Sequence, residues 1–371
     1  MSLADEIIAR YRPKKGFEMF DSAVKSGDEP DVERVHLPTG NFILDYASMG
    51  GLPLGSVSQF WGNEGVGKTE SAGRCVAQAQ FYFKDKAVVW ADTENAFDRE
   101  YMAETFGIDL SRLILIKGLQ GEALAQILSE MSQDPAISLI VLDSVPQMMS
   151  EREMTRDLND SNPQMGYIAN IMRPLVGRLL INLAVHASNG RIGPGILLLN
   201  QTRDKTTPTG RSYQVWPGGK SIGFACHLNV LFKKDKEKPD SKKIGDREID
   251  ETEHQFDVTK TRLGNSERSG EFGVIRDMSR APLLMPGTVD DSMAMVAFAK
   301  KHNLFVGSSR NGYSFAGVAE SATYAKMEEA GAALDADAEM KRKLSYLIIA
   351  AKRADERKRT SGWHVGEVAN G

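Results

Sequence analysis

The octapeptide Gly62-Asn63-Glu64-Gly65-Val66-Gly67-Lys68-Thr69 constrains this chain most, because it matches G-x-x-x-x-G-K-[ST] at every fixed position. A strand-like run at 57–61 precedes it and a helical pattern at 69–83 follows. In that setting backbone N–H groups wrap phosphates at the start of a helix, whose partial positive charge adds to the attraction. Lys68 is expected to reach the β- and γ-phosphates of ATP, and Thr69 to offer a hydroxyl to Mg²⁺. Glu70 borders the same cradle.

Around this motif the pattern is α/β from about residue 34 to 285. Short apolar runs at 87–91, 113–116, 137–142 and 195–199 alternate with helical patterns. Their hydrophobicity is continuous rather than alternating, which predicts strands buried on both faces in a mostly parallel central sheet covered by helices. Ligands of such sheets bind beyond the carboxyl ends of the strands. Asp143 closes the run 137–142, where a carboxylate downstream of a phosphate loop holds Mg²⁺ through water. Glu94, in Asp92-Thr93-Glu94 after the run 87–91, stands where hydrolysis needs a base to orient and deprotonate water.

The flanking regions differ in character. Residues 1–33 open with a capping-box pattern, Ser2 to Asp5. Apolar residues then recur at Leu3, Ile7 and Tyr11, which reads as a short amphipathic helix that needs another surface to cover. The charged stretch 233–253 reads as a solvated hairpin or loop. From 286 to 371 helical patterns at 290–302 and 337–359 flank a hairpin-like stretch at 307–317, predicting a small α+β C-terminal domain with a basic last helix.

The formal net charge of −4, from 46 Lys+Arg against 50 Asp+Glu, excludes a globally basic protein, so nucleic acid would be met through local basic patches. The two cysteines, Cys75 and Cys226, form no metal or disulfide pattern, which points to a reducing, cytoplasmic compartment. No apolar run near the ~18–20 residues that span a bilayer and no signal-peptide core is expected from the sequence, and with them no membrane partner.

The motif order resembles that of bacterial RecA, the DNA strand-exchange recombinases. Gly51-Leu52-Pro53-Leu54-Gly55 leads to the phosphate loop, then Asp92-Thr93-Glu94-Asn95-Ala96-Phe97-Asp98 with Tyr101, then Leu142-Asp143-Ser144, Asn200-Gln201-Thr202-Arg203 and Gly218-Gly219-Lys220. The resemblance covers about residues 30–350 and implies a RecA-like ATPase. Glu94 would be the catalytic base, and Asp98 and Tyr101 would contact adenine. Gln201 would sense the γ-phosphate. Lys260 and Arg262, on a strand at 256–262, would reach the ATP of a neighbouring subunit; period-two alternation independently places both on one face.

Two DNA loops are implied as well. One runs about 153–165 with Met165-Gly166, and the other 202–222 with Arg203, Lys205, Arg211 and Lys220. Arg173, Tyr213, Trp216, Gly218 and Gly219 join the implied DNA contacts. The chain also departs from the family. The mid-loop aromatic is Gly210 here, with Tyr213 and Trp216 nearby either to stack on bases or, for Trp216, to pack beneath the loop. The family's lysine before Phe224 is Gly223 here, which removes one expected ATP contact across the interface, and the acidic tail of many bacterial homologues is not seen; these departures together are those expected of a divergent, phage-encoded version.

The expected activity is DNA-dependent ATP hydrolysis by a protein that polymerises head-to-tail on single-stranded DNA and pairs it with homologous double-stranded DNA, with the N-terminal helix docked on the next subunit. Ring-forming hexameric helicases share the core fold, but Lys260/Arg262, the short N-terminal helix and the Asp92-Thr93-Glu94-Asn95…Asp98 pattern argue against that class. A non-catalytic, ATP-gated DNA-binding regulator is disfavoured because base, magnesium ligand and sensor are all present.

Overall fold

The computed structural model describes residues 35–155, 166–206, 212–234, 241–244, 247–262, 268–276, 287–318 and 322–363. The N-terminal helix expected around Leu3–Tyr11, most of the first loop including Met165, and Arg211 lie outside these residues.

The main elements, in chain order, are β1 (Val57–Gly62), α1 (Lys68–Tyr82), β2 (Ala87–Asp92), α2 (Arg99–Phe106), β3 (Leu113–Lys117), α3 (Gly121–Met131), β4 (Ile137–Asp143), α4 (Tyr167–Ser188) and β5 (Gly195–Gln201). β6 (Leu228–Lys234), β7 (Arg247–Thr261), β8 (Ser269–Ile275) and β9 (Val289–Asp290) follow, then α5 (Ser292–Lys301), α6 (Met327–Ala336) and α7 (Ala338–Trp363). The strands form one sheet in the order β9-β8-β7-β6-β1-β5-β4-β2-β3. From β6 to β3 all pairings are parallel. β7, β8 and β9 extend the sheet antiparallel beyond β6.

Strand periodicity explains why the apolar runs are unbroken. Val88, Trp90, Leu139 and Val141 enter one core with α1, while Val89, Ala91, Ile140 and Leu142 enter a second with α3 and α4. Successive side chains point to opposite faces, so a strand covered on both sides must be apolar at every position. β3 departs from that expectation. It is the outermost strand, paired only with β2, and Ile114 is exposed.

The charged stretch after β6 forms a hairpin as read, Ser241–Ile244 pairing antiparallel with Arg247–Asp250 at the start of β7. The 22-residue α4 corrects the sequence reading, because by length and composition it is apolar enough to cross a membrane. Its Ile168, Ile171, Met172, Leu175, Val176, Leu179 and Leu183 instead pack into the second core, as a core helix of a folded domain does.

The C-terminal unit contains α5, the hairpin Phe305–Ser308/Gly312–Phe315, α6 and α7. Its core takes in Phe42 and Tyr46 from the short helix Phe42–Ala47, far away in sequence. The basic residues of α7 serve this junction. Lys352 is buried, donates to the Tyr46 carbonyl at 2.8 Å and lies 3.8 Å over its ring. Lys341 pairs with Asp291 at 2.7 Å, and Arg342 sits over Phe81.

Candidate functional site

The polar motifs converge at one edge of the sheet. Gly62 is level with Gln201 across β1 and β5, and Asp92 is level with Asp143 across β2 and β4. Four parallel strands therefore deliver the phosphate loop, the Asp92-Thr93-Glu94 turn, Asp143 and Gln201 to the same carboxyl-end crevice.

α1 starts at Lys68 with Gly67 as its N-cap in the left-handed region (φ 85°) and no side-chain cap. Its first N–H groups are thus left to an incoming anion, which the helix dipole favours. A Cβ at Gly67 would meet the His254 ring at 3.1 Å, so glycine also answers a packing demand. Lys68 is buried and donates to the Gly62 and Asn63 carbonyls at 3.2 and 2.6 Å. Burial lowers its pKa, opposed by the charges of Asp143, Glu94 and Glu64.

Thr69 Oγ1 donates to Asp143 Oδ2 at 3.2 Å. Burial, reinforced by the Glu94 charge, pushes the Asp143 carboxyl up to about 7. A hydroxyl at the start of α1 and a carboxylate at the end of β4 are hard oxygen donors of the kind Mg²⁺ takes. Among the described residues no trio of His, Cys, Asp or Glu gathers to hold a metal. Thr69 and Asp143 therefore fit an ion that Thr69 would ligate directly and Asp143 through water, the other ligands being water and phosphate, and its charge would favour ionised Asp143.

Glu94 is held from two directions. Ser144 Oγ donates to Glu94 Oε1 at 2.5 Å and Gln201 Nε2 donates to the same oxygen at 3.0 Å. Thr93 fixes the turn beneath: its Oγ1 accepts from Ser144 N and donates to the Ser144 carbonyl, both at 2.8 Å. Asp92 is buried and structural, accepting from Phe97 N at 2.9 Å and pairing with Lys117 at 3.3 Å. Thr202 donates to the Asn63 side chain, joining the start of the long loop to the phosphate loop.

The adenine-side residues expected from the resemblance lie together on the other flank of α1. Asp98 caps α2 by accepting from Tyr101 N at 3.0 Å, and the Tyr101 hydroxyl donates to Glu70 at 3.3 Å. Sequence reasoning missed Arg276, which donates to both Glu70 oxygens at 2.9 and 3.2 Å while its Nε donates to Thr252. Burial alone would raise the Glu70 pKa, yet Arg276 and Arg74 hold it below its ordinary value. His254 is missed too. It is buried under Gly67 and stacked on Phe272, and burial lowers its pKa to about 4. Both come to the site through β7 and β8, some two hundred residues away in sequence, and no local motif marks them.

The loop after Gln201 returns as a two-stranded ribbon, Arg203–Thr206 with Ser212–Val215, which carries Lys205 and Tyr213. Arg203 and Lys220 are exposed, as is Arg173 on α4, while Gly166 caps α4 with φ 79°. Gly218 and Gly219 adopt positive φ, and Gly218 is buried. Trp216 is partly buried, edge-to-face on Trp61 at 4.8 Å, which corresponds to the packing alternative rather than an open stacking platform. The ring also fills the space beside residue 223, where a Cβ would come within 2.8 Å of it.

Lys260 and Arg262 do not join this crevice. Lys260 pairs with Asn229 on β6, which is level with Gln59 on β1. Gly62 minus Gln59 is three steps of about 3.3 Å, so Lys260 lies roughly 10 Å back along the strands and two strands aside. Its Nζ donates to the Gly223 and Phe224 carbonyls at 2.7 and 3.0 Å. Burial and the nearby Arg262 charge lower its pKa. Phe224 is 73% exposed on the same surface.

Residues 14–277 match the family model of the RecA N-terminal domain. The RecA protein of Chloroherpeton thalassium is 30% identical over 254 residues, 68% of this chain and 66% of that protein. The RecA protein of Bifidobacterium longum is 28% identical over 283 residues, 76% of this chain and 66% of that protein. The RecA protein of Chlorobaculum tepidum is 28% identical over 257 residues, 68% and 69% of the two chains. The chain thus spans about two-thirds of the length of these relatives.

Proposed function

The chain belongs to the RecA family, and from that premise we propose that it is a DNA-dependent ATPase that assembles head-to-tail on single-stranded DNA and exchanges strands with homologous duplex. The observation that carries the assembly is the distance between its two halves of chemistry. The phosphate loop, Glu94 and Gln201 sit at one edge of the sheet, while Lys260 and Arg262 sit two strands away and further back. Cations that cannot serve their own site are suited to a neighbour's. The surface carrying them, with exposed Phe224, differs from the surface carrying the crevice. Such a contact is heterologous, and repeating it without closure generates a helix.

Within the crevice, backbone N–H groups and Lys68 bind and orient the triphosphate of the substrate, ATP. A Mg²⁺ ion held through Thr69 and Asp143 supplies further neutralisation of phosphate charge when bound. Glu94 accepts the proton of the attacking water, positioned by Ser144 and Gln201. The Gln201 side-chain amide donates to Glu94, and its backbone leads directly into the 202–222 loop, so phosphate binding that draws the amide away moves the start of that loop. By linkage, DNA that orders the loop favours the nucleotide-bound arrangement equally.

Mixing subunits tests the reading. Lys68→Ala and Lys260→Ala should each suppress ATPase alone, whereas a mixture should regain partial activity at interfaces pairing an intact phosphate loop with an intact Lys260. A mixture that never exceeds the two variants measured separately contradicts action between subunits.

A further inference from the structure

The second long loop leaves the crevice beside one ring pair. Trp61 is the last residue of β1 before Gly62, where the phosphate loop begins. Its ring is buried and meets the edge of Trp216 at 4.8 Å with an interplanar angle of 69°. The chain on either side of Trp216 is also fastened. Val215 ends the ribbon paired to Arg203, and the Pro217 carbonyl accepts from Asn200 Nδ2 at 3.0 Å. Asn200 is itself fully buried and its Oδ1 accepts from Gln201 N at 3.0 Å. The stem of the loop is therefore built against the two strands that carry the phosphate loop and Gln201.

Residue 223 supplies the second observation. A Cβ there would stand 2.8 Å from Trp216 Cζ2, closer than such atoms approach. The glycine is required by the ring rather than by its backbone, since its φ is not in the left-handed region. The same Gly223 carbonyl receives Lys260 Nζ at 2.7 Å. Trp216 thus lies between the strand that feeds the phosphate loop and the last turn of the short helix Lys220–Ala225, whose carbonyls hold the distant cation.

We infer that Trp216 is a positioning residue: its packing between Trp61 and Gly223 ties the loop stem to the phosphate loop, so that nucleotide binding moves the stem through the ring pair. The functional half of this inference rests on the reading of the 202–222 loop as a DNA loop, but the mechanical half does not. An edge-to-face ring pair is worth little beyond its area, so its loss corresponds to roughly a two- to tenfold change in coupling.

The test uses the full chain and intrinsic tryptophan emission. ATPγS with Mg²⁺ should change the emission of the wild-type protein, and Trp216→Phe and Trp61→Phe should each remove most of that change, while Trp90→Phe retains it. Gly223→Ala should disturb the pair sterically and cut the nucleotide-induced change two- to tenfold. Gly223→Ala should also cut nucleotide-dependent protection of residues 212–224 in hydrogen exchange by the same factor, and the double variant Gly223→Ala/Trp216→Phe should recover it, because the smaller phenyl ring leaves room for the methyl and still packs on Trp61, although its emission signal is gone. Should Trp61→Phe fail to fold, Gly223→Ala with its compensating partner carries the same question. An emission change that survives in both Trp→Phe variants, or Gly223→Ala effects that simply add to those of Trp216→Phe, overturns the inference. A wild-type ATPase that single-stranded DNA does not stimulate would instead count against the DNA-loop reading, since the emission and exchange measurements contain no DNA.

Discussion

Glu94 accepts hydrogen bonds from Ser144 and Gln201, which stand at the ends of two different strands. A carboxylate held this way is aimed before substrate arrives, as a base for water must be. Glu94→Gln should therefore bind ATP and DNA as before and lose about 10²–10⁴ in turnover, the usual cost of a missing general base. Near-normal ATPase in that variant would make Glu94 a structural acid. Gln201→Ala should keep the DNA-free rate and lose most of the stimulation by single-stranded DNA; full stimulation at saturating DNA would uncouple this residue from the loop. The phosphate loop, Asp143 and Glu94 were legible because each closes an apolar run or fills a fixed spacing. Arg276 and His254 were not, because both reach the site by strand pairing distant in sequence; Ser144 stood in a quoted motif, but nothing local marked its hydroxyl as a partner of Glu94.

At the scale of elements, burial on both faces made the central strands readable as unbroken apolar runs. The same rule misjudged β3, whose exposed Ile114 reflects its outermost place in the order, something no local pattern encodes. α6 escaped notice, and two of the basic residues of α7, Lys341 and Lys352, bind the helix to Asp291 and Tyr46. The junction they serve holds a testable group. Asp45 is fully buried in the short helix Phe42–Ala47, and burial pushes its carboxyl up to about 7 despite hydrogen bonds from Thr39. A folded-state pKa above the unfolded value near 3.8 stabilises the fold below about pH 4 and loses that contribution as pH rises to about 7. The loss is on the order of 4 kcal/mol at most. Asp45→Asn stays neutral, so its melting temperature should rise relative to the wild type between pH 5 and pH 8. An equal difference at both values would show that Asp45 is ionised in the fold.

Across the whole molecule, the sheet separates two surfaces. One gathers the phosphate loop, Glu94, Asp143 and Gln201 at the ends of parallel strands. The other, beyond β6, presents Lys260, Arg262 and Phe224. Motif spacing indicated the phosphate loop and the resemblance to RecA indicated Gln201, Lys260 and Arg262, and only the register of β1, β6 and β7 shows that one chain does not bring them together. An assembly that joins them has to repeat, and either a helix or a ring satisfies that requirement. Electron microscopy of the protein with ATPγS, Mg²⁺ and single-stranded DNA distinguishes these outcomes directly. Continuous helical filaments along the DNA, absent for Lys68→Ala under the same conditions, are the predicted result. Closed rings or isolated particles for the wild-type protein would contradict the account.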